Sequence, residues 1–275
     1  MMYVTIDDFR QAFVVAKNEM KKFVRGKKFT MYIALITIVF LMITVLPYVV
    51  GDGLGDTPGD VVSSYMMFVS LLVILAATLF ASVTVVSEFE ERTALILFTR
   101  PIKKTSIFLG KVIGCILLEL TMIVAFYAAI AVVCLVVGGG VPFALLTSLG
   151  LAALFVFATS SIAIFISSVM KKGSTCAILT FVFLLLILPI LSGVISSAID
   201  PPWFMLDNAS DAIANCVPEY LDMMNGMIER IEENLGIDLG LTIPAPDMLK
   251  TVVTMLGWGI VSIIMAWVAF IKREF

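Results

Sequence analysis

Histidine is absent from this chain of 275 residues, and charged residues make up only 14% of it. Without histidine the chain lacks the commonest metal ligand and the usual general base of proteins. Its four cysteines lie far apart, with no CxxC pair and no spacing typical of zinc or haem. No basic patch of the kind that binds nucleic acid is present. The sequence therefore predicts neither a metal site nor nucleic-acid binding.

Apolar residues, in contrast, are abundant. They make up 61% of the chain and give a mean hydropathy of +1.10, whereas soluble proteins are about half apolar and about a quarter charged. The surplus is concentrated in long runs almost free of charge, and about 18 consecutive apolar residues are enough to cross a bilayer as a helix. We therefore predict an all-α membrane protein.

Six such runs are present. We predict TM1 at 30–50, TM2 at 62–86, TM3 at 107–137, TM4 at 144–169, TM5 at 175–198 and TM6 at 249–271. Ahead of them, residues 6–28 place apolar side chains at helical spacing, with basic residues around the rest of the axis. This pattern is typical of an amphipathic helix in the membrane interface. It does not match a secretory signal, so we expect TM1 to be retained.

The basic residues are unevenly distributed between the two sides that six spans define. Sixteen of the eighteen Lys and Arg lie before TM1, in residues 87–111, between TM4 and TM5, or after TM6. The other segments hold only Arg230 and Lys250, together with thirteen acids. Since positive charge near helix ends is retained on the cytoplasmic side, we predict a plasma-membrane protein with both termini in the cytoplasm.

Residues 199–248, on the predicted external side, have the pattern of a folded helical segment. Apolar residues recur at helical spacing between Ile213 and Leu235, opposite a face of acids. Pro218 suits the first turn of a helix, and Gly236 is a natural helix terminator. We therefore expect a helical external insertion between TM5 and TM6.

Residues 87–106, between TM2 and TM3, form the most informative segment. It begins with acids and ends with bases: Glu88, Glu90, Glu91, Lys103 and Lys104. Acids near the start of a helix suit its dipole, and Pro101 would end the helix. The pattern indicates a short cytoplasmic helix on which a partner protein can act. An ordinary solvated loop that obeys the charge rule fits it equally well.

This segment resembles the signature of ABC-2-type permeases, the membrane subunits of ATP-binding cassette exporters. The residues that match it in order are Glu88, Glu90, Thr93, Leu95, Leu97, Pro101, Lys103 and Gly110-Lys111. Arg92 stands where the family usually has glycine. The likeness extends to nearly the whole chain, which is then a single transmembrane domain (1–275) with the family's amphipathic N-terminal helix, six spans and external helical insertion.

The resemblance implies that residues 87–106 form a coupling helix seated in a groove of a separate ATPase subunit. The implied docking residues are Glu88, Glu90, Glu91, Arg92, Thr93, Leu97 and Pro101. The chain itself has no P-loop, because Gly110-Lys111-Val112 lacks the upstream glycine and the hydroxyl of that motif. We therefore expect ATP and Mg on the partner ATPase, no cofactor on this chain, and pairing with a second copy or a related permease.

Polar residues inside the predicted spans are candidates for a pathway or a gate. Glu119 is the only acid in a predicted span and lies near the middle of TM3, where an ionisable group usually faces protein or water. Substrate contact, gating and a buried packing role all fit it. Ser70, Thr78 and Ser82 share about a third of the circumference of TM2 and suit either a polar path or helix packing.

These observations favour a permease subunit that couples ATP hydrolysis by a partner to export of a substrate that the sequence does not identify. The alternative is a non-transporting membrane subunit, a sensor or an assembly factor, that relays the motion of an ATPase to its external segment. An intramembrane enzyme is the least favoured class, because the chain has no histidine, no pair of intramembrane acids and no Gly-x-Ser-x-Gly motif.

Overall fold

The computed structural model describes residues 6–51, 53–55, 57–90, 103–196, 202–236 and 242–272. Every regular element within these residues is helical, and six helical segments are long and apolar enough to cross a membrane. They are TM1 (Lys27–Val50), TM2 (Pro58–Glu90), TM3 (Lys104–Val137), TM4 (Phe143–Val169), TM5 (Gly173–Ser196) and TM6 (Met248–Lys272). The prediction of an all-helical protein with six candidate spans is confirmed.

Three further helices lie outside the spans in the described part of the chain. An N-terminal helix, Ile6–Val24, packs along TM3, and its Ala12 and Ala16 are buried. The other two helices, Leu206–Asn215 and Pro218–Leu235, lie between TM5 and TM6. We call the end of the bundle that holds the N-terminal helix the basic end, and the end where TM2 begins the acidic end.

TM2 is the most buried span, whereas TM1 lies at the edge of the bundle. At the acidic end, Thr57 and Asp60 form a capping box that starts TM2, with Pro58 in its first turn. From there TM2 packs against TM3 and TM4. TM1 is fastened to it by the Tyr32 hydroxyl, which donates to the Leu72 carbonyl at 2.8 Å.

The α-helix of TM2 is interrupted before the span ends. Regular α-helix runs over Pro58–Leu79, a tighter turn follows at Ala81–Val83, and a short helix occupies Val86–Glu90. Side-chain hydroxyls accompany the break, because Ser82 and Thr84 each donate to a carbonyl four residues earlier. Such back-bonding often bends helices. The last turn of TM2 is therefore a separate short helix, Val86–Glu90, at the basic end.

TM5 has a π-helical turn over Phe183–Ile187, just before Pro189. Proline has no N–H to donate and its ring crowds the carbonyl four residues earlier. A single wider turn accommodates that mismatch without breaking the helix. TM5 thus continues through Leu188–Ser196 despite the proline.

The two helices between TM5 and TM6 differ in burial. The Leu206–Asn215 helix packs among TM2, TM4 and TM6, and its Ile213 carbonyl accepts a 2.6 Å hydrogen bond from Ser148 of TM4. The Pro218–Leu235 helix has no fully buried residue. It begins at Pro218 and is terminated by Gly236 in the left-handed conformation, with φ 65°, as the sequence indicates.

Candidate functional site

A buried ion cluster lies at the basic end, where TM2 ends and TM3 begins. The Lys111 ammonium donates to Glu19 at 2.6 Å, to Glu88 at 2.9 Å and to the Thr84 carbonyl at 3.2 Å. An ammonium has three protons to donate, so these three contacts satisfy it. Lys111 is only 2% exposed. Lys22 adds a second, weaker contact to Glu88 at 3.4 Å, so the two acids are matched by two bases.

The N-terminal helix reaches this cluster because two glycines of TM3 let it come close. A Cβ placed on Gly110 would lie 2.5 Å from the Ala12 carbonyl oxygen, and one on Gly114 would lie 2.8 Å from the Ala16 carbonyl oxygen. Small residues four apart on both helices allow the two backbones to touch. This contact places Glu19 beside Lys111.

The interrupted end of TM2 is fastened to TM4 by one hydroxyl. Where the regular helix stops, the N–H groups of Val85 and Val86 lose their normal helical acceptors. Both donate instead to the Ser167 hydroxyl oxygen, at 3.1 and 3.0 Å. Ser167 is fully buried, so it supplies the acceptor that water would otherwise provide.

Glu90, the last described residue before the 91–102 segment, bonds to the start of TM5. Its carboxylate accepts a hydrogen bond from the Gly173 N–H at 2.9 Å. Lys172, the residue before Gly173, makes no side-chain hydrogen bond that would cap the start of TM5. A carboxylate at a helix N-terminus satisfies a free N–H and suits the helix dipole. Glu90 therefore serves as the N-terminal cap of TM5.

Together these contacts join the short Val86–Glu90 helix to four other elements. Glu88 connects it to the N-terminal helix and TM3, Ser167 connects it to TM4, and Glu90 connects it to TM5. Charged and hydroxyl groups with short contacts fix direction as well as distance. These contacts therefore fix the position of the short helix relative to the ends of TM3, TM4 and TM5.

The family model for ABC-2 family transporter proteins matches residues 13–275. The chain belongs to the ABC-2 transporter family. A search of curated proteins gives no match. The match spans all six candidate membrane helices, so this ABC-2 protein is a multi-pass membrane protein of a transporter family. The resemblance inferred from the 87–106 segment is thereby confirmed.

Two of the predicted docking residues of this ABC-2 protein are described by the structure. The Glu88 side chain is mostly buried against Lys111, and the Glu90 residue is exposed while its carboxylate bonds to Gly173. The other five lie outside the described residues: Glu91, Arg92, Thr93, Leu97 and Pro101. A docking role for the set stays a prediction.

Glu119 is fully buried between TM3 and TM4 rather than on an open surface of the chain. Its carboxylate oxygens accept from the Cys115 thiol at 3.2 Å and from the Ser160 hydroxyl at 2.5 Å. Buried polar groups in membranes are stabilised by such contacts across helices. Within one chain this geometry suits a polar contact that joins two spans. A role in gating or substrate contact stays a prediction.

The hydroxyls predicted to share one face of TM2 bond to backbone carbonyls. Thr78 donates to Ile74 within the helix, and Ser82 donates to Thr78. Ser70 instead reaches the Ser210 carbonyl of the Leu206–Asn215 helix at 3.3 Å. Thr78 and Ser82 are buried, and Ser70 is partly buried. Their use as a pathway stays a prediction, and in this chain Ser70 joins two helices.

Sequence reasoning singled out Glu88 and Glu90 but assigned no role to their partners. Lys111 carries the clearest signal that was available, because a lysine within a predicted span is costly unless paired. The Gly110 and Gly114 pair has the small-residue spacing of close helix contacts. Glu19 and Ser167 had no comparable signal, since acids on amphipathic helices and serines in spans are common.

Replacement of Ser167 with alanine is expected to destabilise the protein by about 2 kcal/mol, because it leaves two buried N–H groups without an acceptor. Thermal unfolding of the purified chain in detergent measures this loss. Ser161→Ala is the matched control on the same helix, since its hydroxyl donates only to the Phe157 carbonyl, and it should change stability little. Equal melting temperatures for both variants would contradict the capping role.

Proposed function

We propose that this protein is the permease subunit of an ABC-2 exporter and that a separate ATPase subunit docks on residues 87–106. ATP and Mg bind the ATPase, not this chain. Closure of the ATPase subunits displaces the coupling helix within these residues, and the spans of two permease chains, identical or related, rearrange to export a substrate across the plasma membrane. The basic end of the bundle faces the cytoplasm, and residues 199–248 form an external insertion.

The observation that supports this proposal most directly is the bonding of the Val86–Glu90 helix. It contains the first two acids of the family signature, Glu88 and Glu90, and it is joined to TM3, TM4, TM5 and the N-terminal helix by Glu88, Ser167 and Glu90. A solvated loop needs no such bracing. A segment that transmits motion from a partner needs such bracing, because motion is transmitted only through rigid contacts.

The proposed orientation agrees with the charges at the two ends. Lys22 and Lys111 lie at the basic end near Glu88, whereas Asp60, Asp211 and Asp247 lie at the acidic end. Basic residues near helix ends are retained in the cytoplasm. Reaction of a single engineered cysteine with a membrane-impermeant maleimide in intact cells tests it: Glu233→Cys should react, and Lys104→Cys should react only after lysis.

Docking is tested by the double substitution Glu91→Ala with Arg92→Ala. We expect an affinity-tagged wild-type chain, solubilised from its native membrane, to copurify with an ATPase that carries Walker motifs. The double variant should lose most of that ATPase, because charged contacts that are desolvated at an interface cost about 2–5 kcal/mol when one partner is truncated. Quantitative mass spectrometry of the eluates measures the ratio of ATPase to permease.

The matched control changes two acids on the Pro218–Leu235 helix, Glu229→Ala with Glu233→Ala. Both residues are exposed and far along the chain from the coupling segment. This variant should retain the ATPase at the wild-type ratio. Retention by both double variants, or absence of any ATPase from the wild-type eluate, would remove the proposed role.

The alternative role is a non-transporting subunit that relays ATPase motion to residues 199–248. The exposed apolar surface of the Pro218–Leu235 helix supports this alternative. The helix has no fully buried residue, and its Met227, Ile231 and Leu235 side chains are exposed. Proteoliposomes that contain the purified complex separate the two roles. ATP-dependent movement of a solute supports the exporter, and ATP turnover without movement of any solute in a broad panel supports the relay.

A further inference from the structure

A cleft of about 650 Å³ opens at the acidic end, between the Leu206–Asn215 helix, the segment 242–247 and the start of TM6. Ligand sites in proteins usually occupy about 300–1,000 Å³, so the cleft has the size of a small-molecule site. None of the contacts that join the coupling segment to the spans lies here. The side chains that give the cleft its chemistry are Trp203, Asp211, Asn215, Pro244, Asp247 and Lys250.

The walls of the cleft are fixed by hydrogen bonds outside its opening. The Asn225 amide oxygen accepts from the Ile243 N–H at 2.9 Å, which holds the 242–247 segment to the Pro218–Leu235 helix. On the other side, Thr254 and Trp258 of TM6 donate to the Trp203 and Phe204 carbonyls, both at 2.9 Å. A site whose walls are held in place before binding loses less entropy when a ligand enters.

The cleft is lined by more acidic than basic side chains. Lys250 pairs with Asp247 at 3.1 Å, and that hydrogen bond lowers the pKa of Asp247, so its carboxylate stays ionised at neutral pH. The Asp211 carboxylate has no hydrogen bond or ion pair with any other residue that the structure describes. Two acids and one base line the cleft, so Asp211 adds an unpaired negative charge to it whenever its carboxyl is ionised.

Asp211 also has an unusual protonation equilibrium. Desolvation by the surrounding helices raises its pKa to about 7, and the charge of Asp207 adds to the rise, although the residue itself is exposed. The ionisable groups around it are Asp207 on the same helix, Tyr220 on the next helix, and Asp247 and Lys250 of the facing wall. A bound cation would favour the ionised carboxylate.

The remaining surface of the cleft is aromatic and apolar. Trp203 is 48% exposed at its wall, and the prolines at 244 and 246 make the opposite wall stiff. An ammonium over an indole ring gains about 0.5–2 kcal/mol from the ring's electron density. An acid without a partner in the same cleft as an exposed indole suits a ligand that carries both a positive charge and an apolar group.

We propose that this cleft binds an amphipathic organic cation, with its charge on Asp211 and its apolar part against Trp203. The site is separate from the coupling segment, and its occupancy does not depend on the ATPase. A ligand there contacts the Leu206–Asn215 helix, the 242–247 segment and TM6 together, so binding holds these three elements in one arrangement.

Isothermal titration calorimetry on the purified full chain tests this site, with benzyltrimethylammonium as the probe. This cation has an aromatic group, keeps its charge at every pH, and donates no N–H hydrogen bond. Benzenesulfonate, of similar size but opposite charge, should not bind. Asp211→Asn and Trp203→Ala should each weaken binding of the cation by about tenfold, which corresponds to about 1.4 kcal/mol. Trp203→Phe should retain most of it.

The pH dependence supplies a second measurement that needs no variant. Affinity for benzyltrimethylammonium should rise as pH increases from 6 to 8, because Asp211 then loses its proton, and this rise should be absent in Asp211→Asn. The proposal is overturned if the wild-type affinity is flat across this range, if Asp211→Asn binds as tightly as wild type, or if benzenesulfonate binds equally well.

Discussion

Replacing Lys111 with methionine should destabilise the protein by about 3–5 kcal/mol, because removing one partner of a buried ion pair leaves an uncompensated charge. The substitution removes two ion pairs at once, because Lys111 bonds to both Glu19 and Glu88. Their carboxylates would then lack the buried ammonium that lies between them, and Lys22, which contacts Glu88 at 3.4 Å, is partly exposed. Thermal unfolding of the purified chain in detergent measures the effect.

A neutral version of the same cluster separates charge balance from packing. The triple variant Lys111→Met, Glu19→Gln and Glu88→Gln has no buried charge left to compensate, so it should recover most of the stability lost by Lys111→Met alone. A single Lys111→Met variant that melts at the wild-type temperature would contradict the ion cluster. In the proposed mechanism the triple variant should fold, but ATP turnover by the partner ATPase should rearrange its spans less than those of the wild type.

Adding methyl groups at the glycines of TM3 should separate the N-terminal helix from the bundle. In the double variant Gly110→Ala with Gly114→Ala, the new Cβ atoms would meet backbone oxygens of Ala12 and Ala16, at 2.5 and 2.8 Å. Backbone cannot rotate away as a flexible side chain can. Overpacking costs about 1–3 kcal/mol for each site, and the displaced helix carries Glu19 away from Lys111.

The control for this variant is Gly150→Ala with Gly257→Ala. Both glycines lie in spans, and a Cβ at either position meets no atom within 4 Å. Two substitutions of the same chemistry should therefore leave stability unchanged or slightly raised. Limited proteolysis gives a local readout, because the N-terminal helix should become cleavable only in the Gly110 and Gly114 variant. Similar resistance in both variants would contradict close packing of this helix on TM3.

The ion cluster also qualifies how the family signature is understood. Its first acid, Glu88, is directed toward Lys111 inside this chain, and the signature's Gly-Lys pair supplies both that lysine and the glycine that admits the N-terminal helix. These signature residues therefore brace the segment as well as mark it. A docking experiment that changes only Glu88 would mix loss of stability with loss of partner binding. Substitution of Glu91 and Arg92 leaves the Glu88 and Lys111 side chains unchanged.

Much of the fold could be predicted from the sequence because the signals were local. Long apolar runs place six candidate spans, since an uninterrupted apolar helix has no stable position in water. Pro218 and Gly236 mark the ends of one helix by backbone preference alone. The 87–106 motif identified the ABC-2 family, which the match over residues 13–275 confirms.

The identity of the contacts could not be predicted in the same way. Glu19 and Lys111 are 92 positions apart in the chain and yet 2.6 Å apart in space, and nothing in either local pattern names the other. Ser167 looks like any other serine of an apolar helix until the break in TM2 turns two N–H groups toward it. Pairing of this kind depends on which helix faces meet.

Composition and spacing by themselves determined the class of this protein and the number of its candidate spans, and the resemblance of residues 87–106 to a known signature indicated its family. The class and the spans follow from the free energy of placing each residue in lipid or in water, which depends on residues that are neighbours in sequence. Only the tertiary structure decided that Glu88, Glu90, Lys111 and Ser167 join the end of TM2 to the bundle, and that Asp211 and Trp203 line the same cleft. Both depend on distances between residues that are far apart in the chain, and these distances are set by how the helices pack.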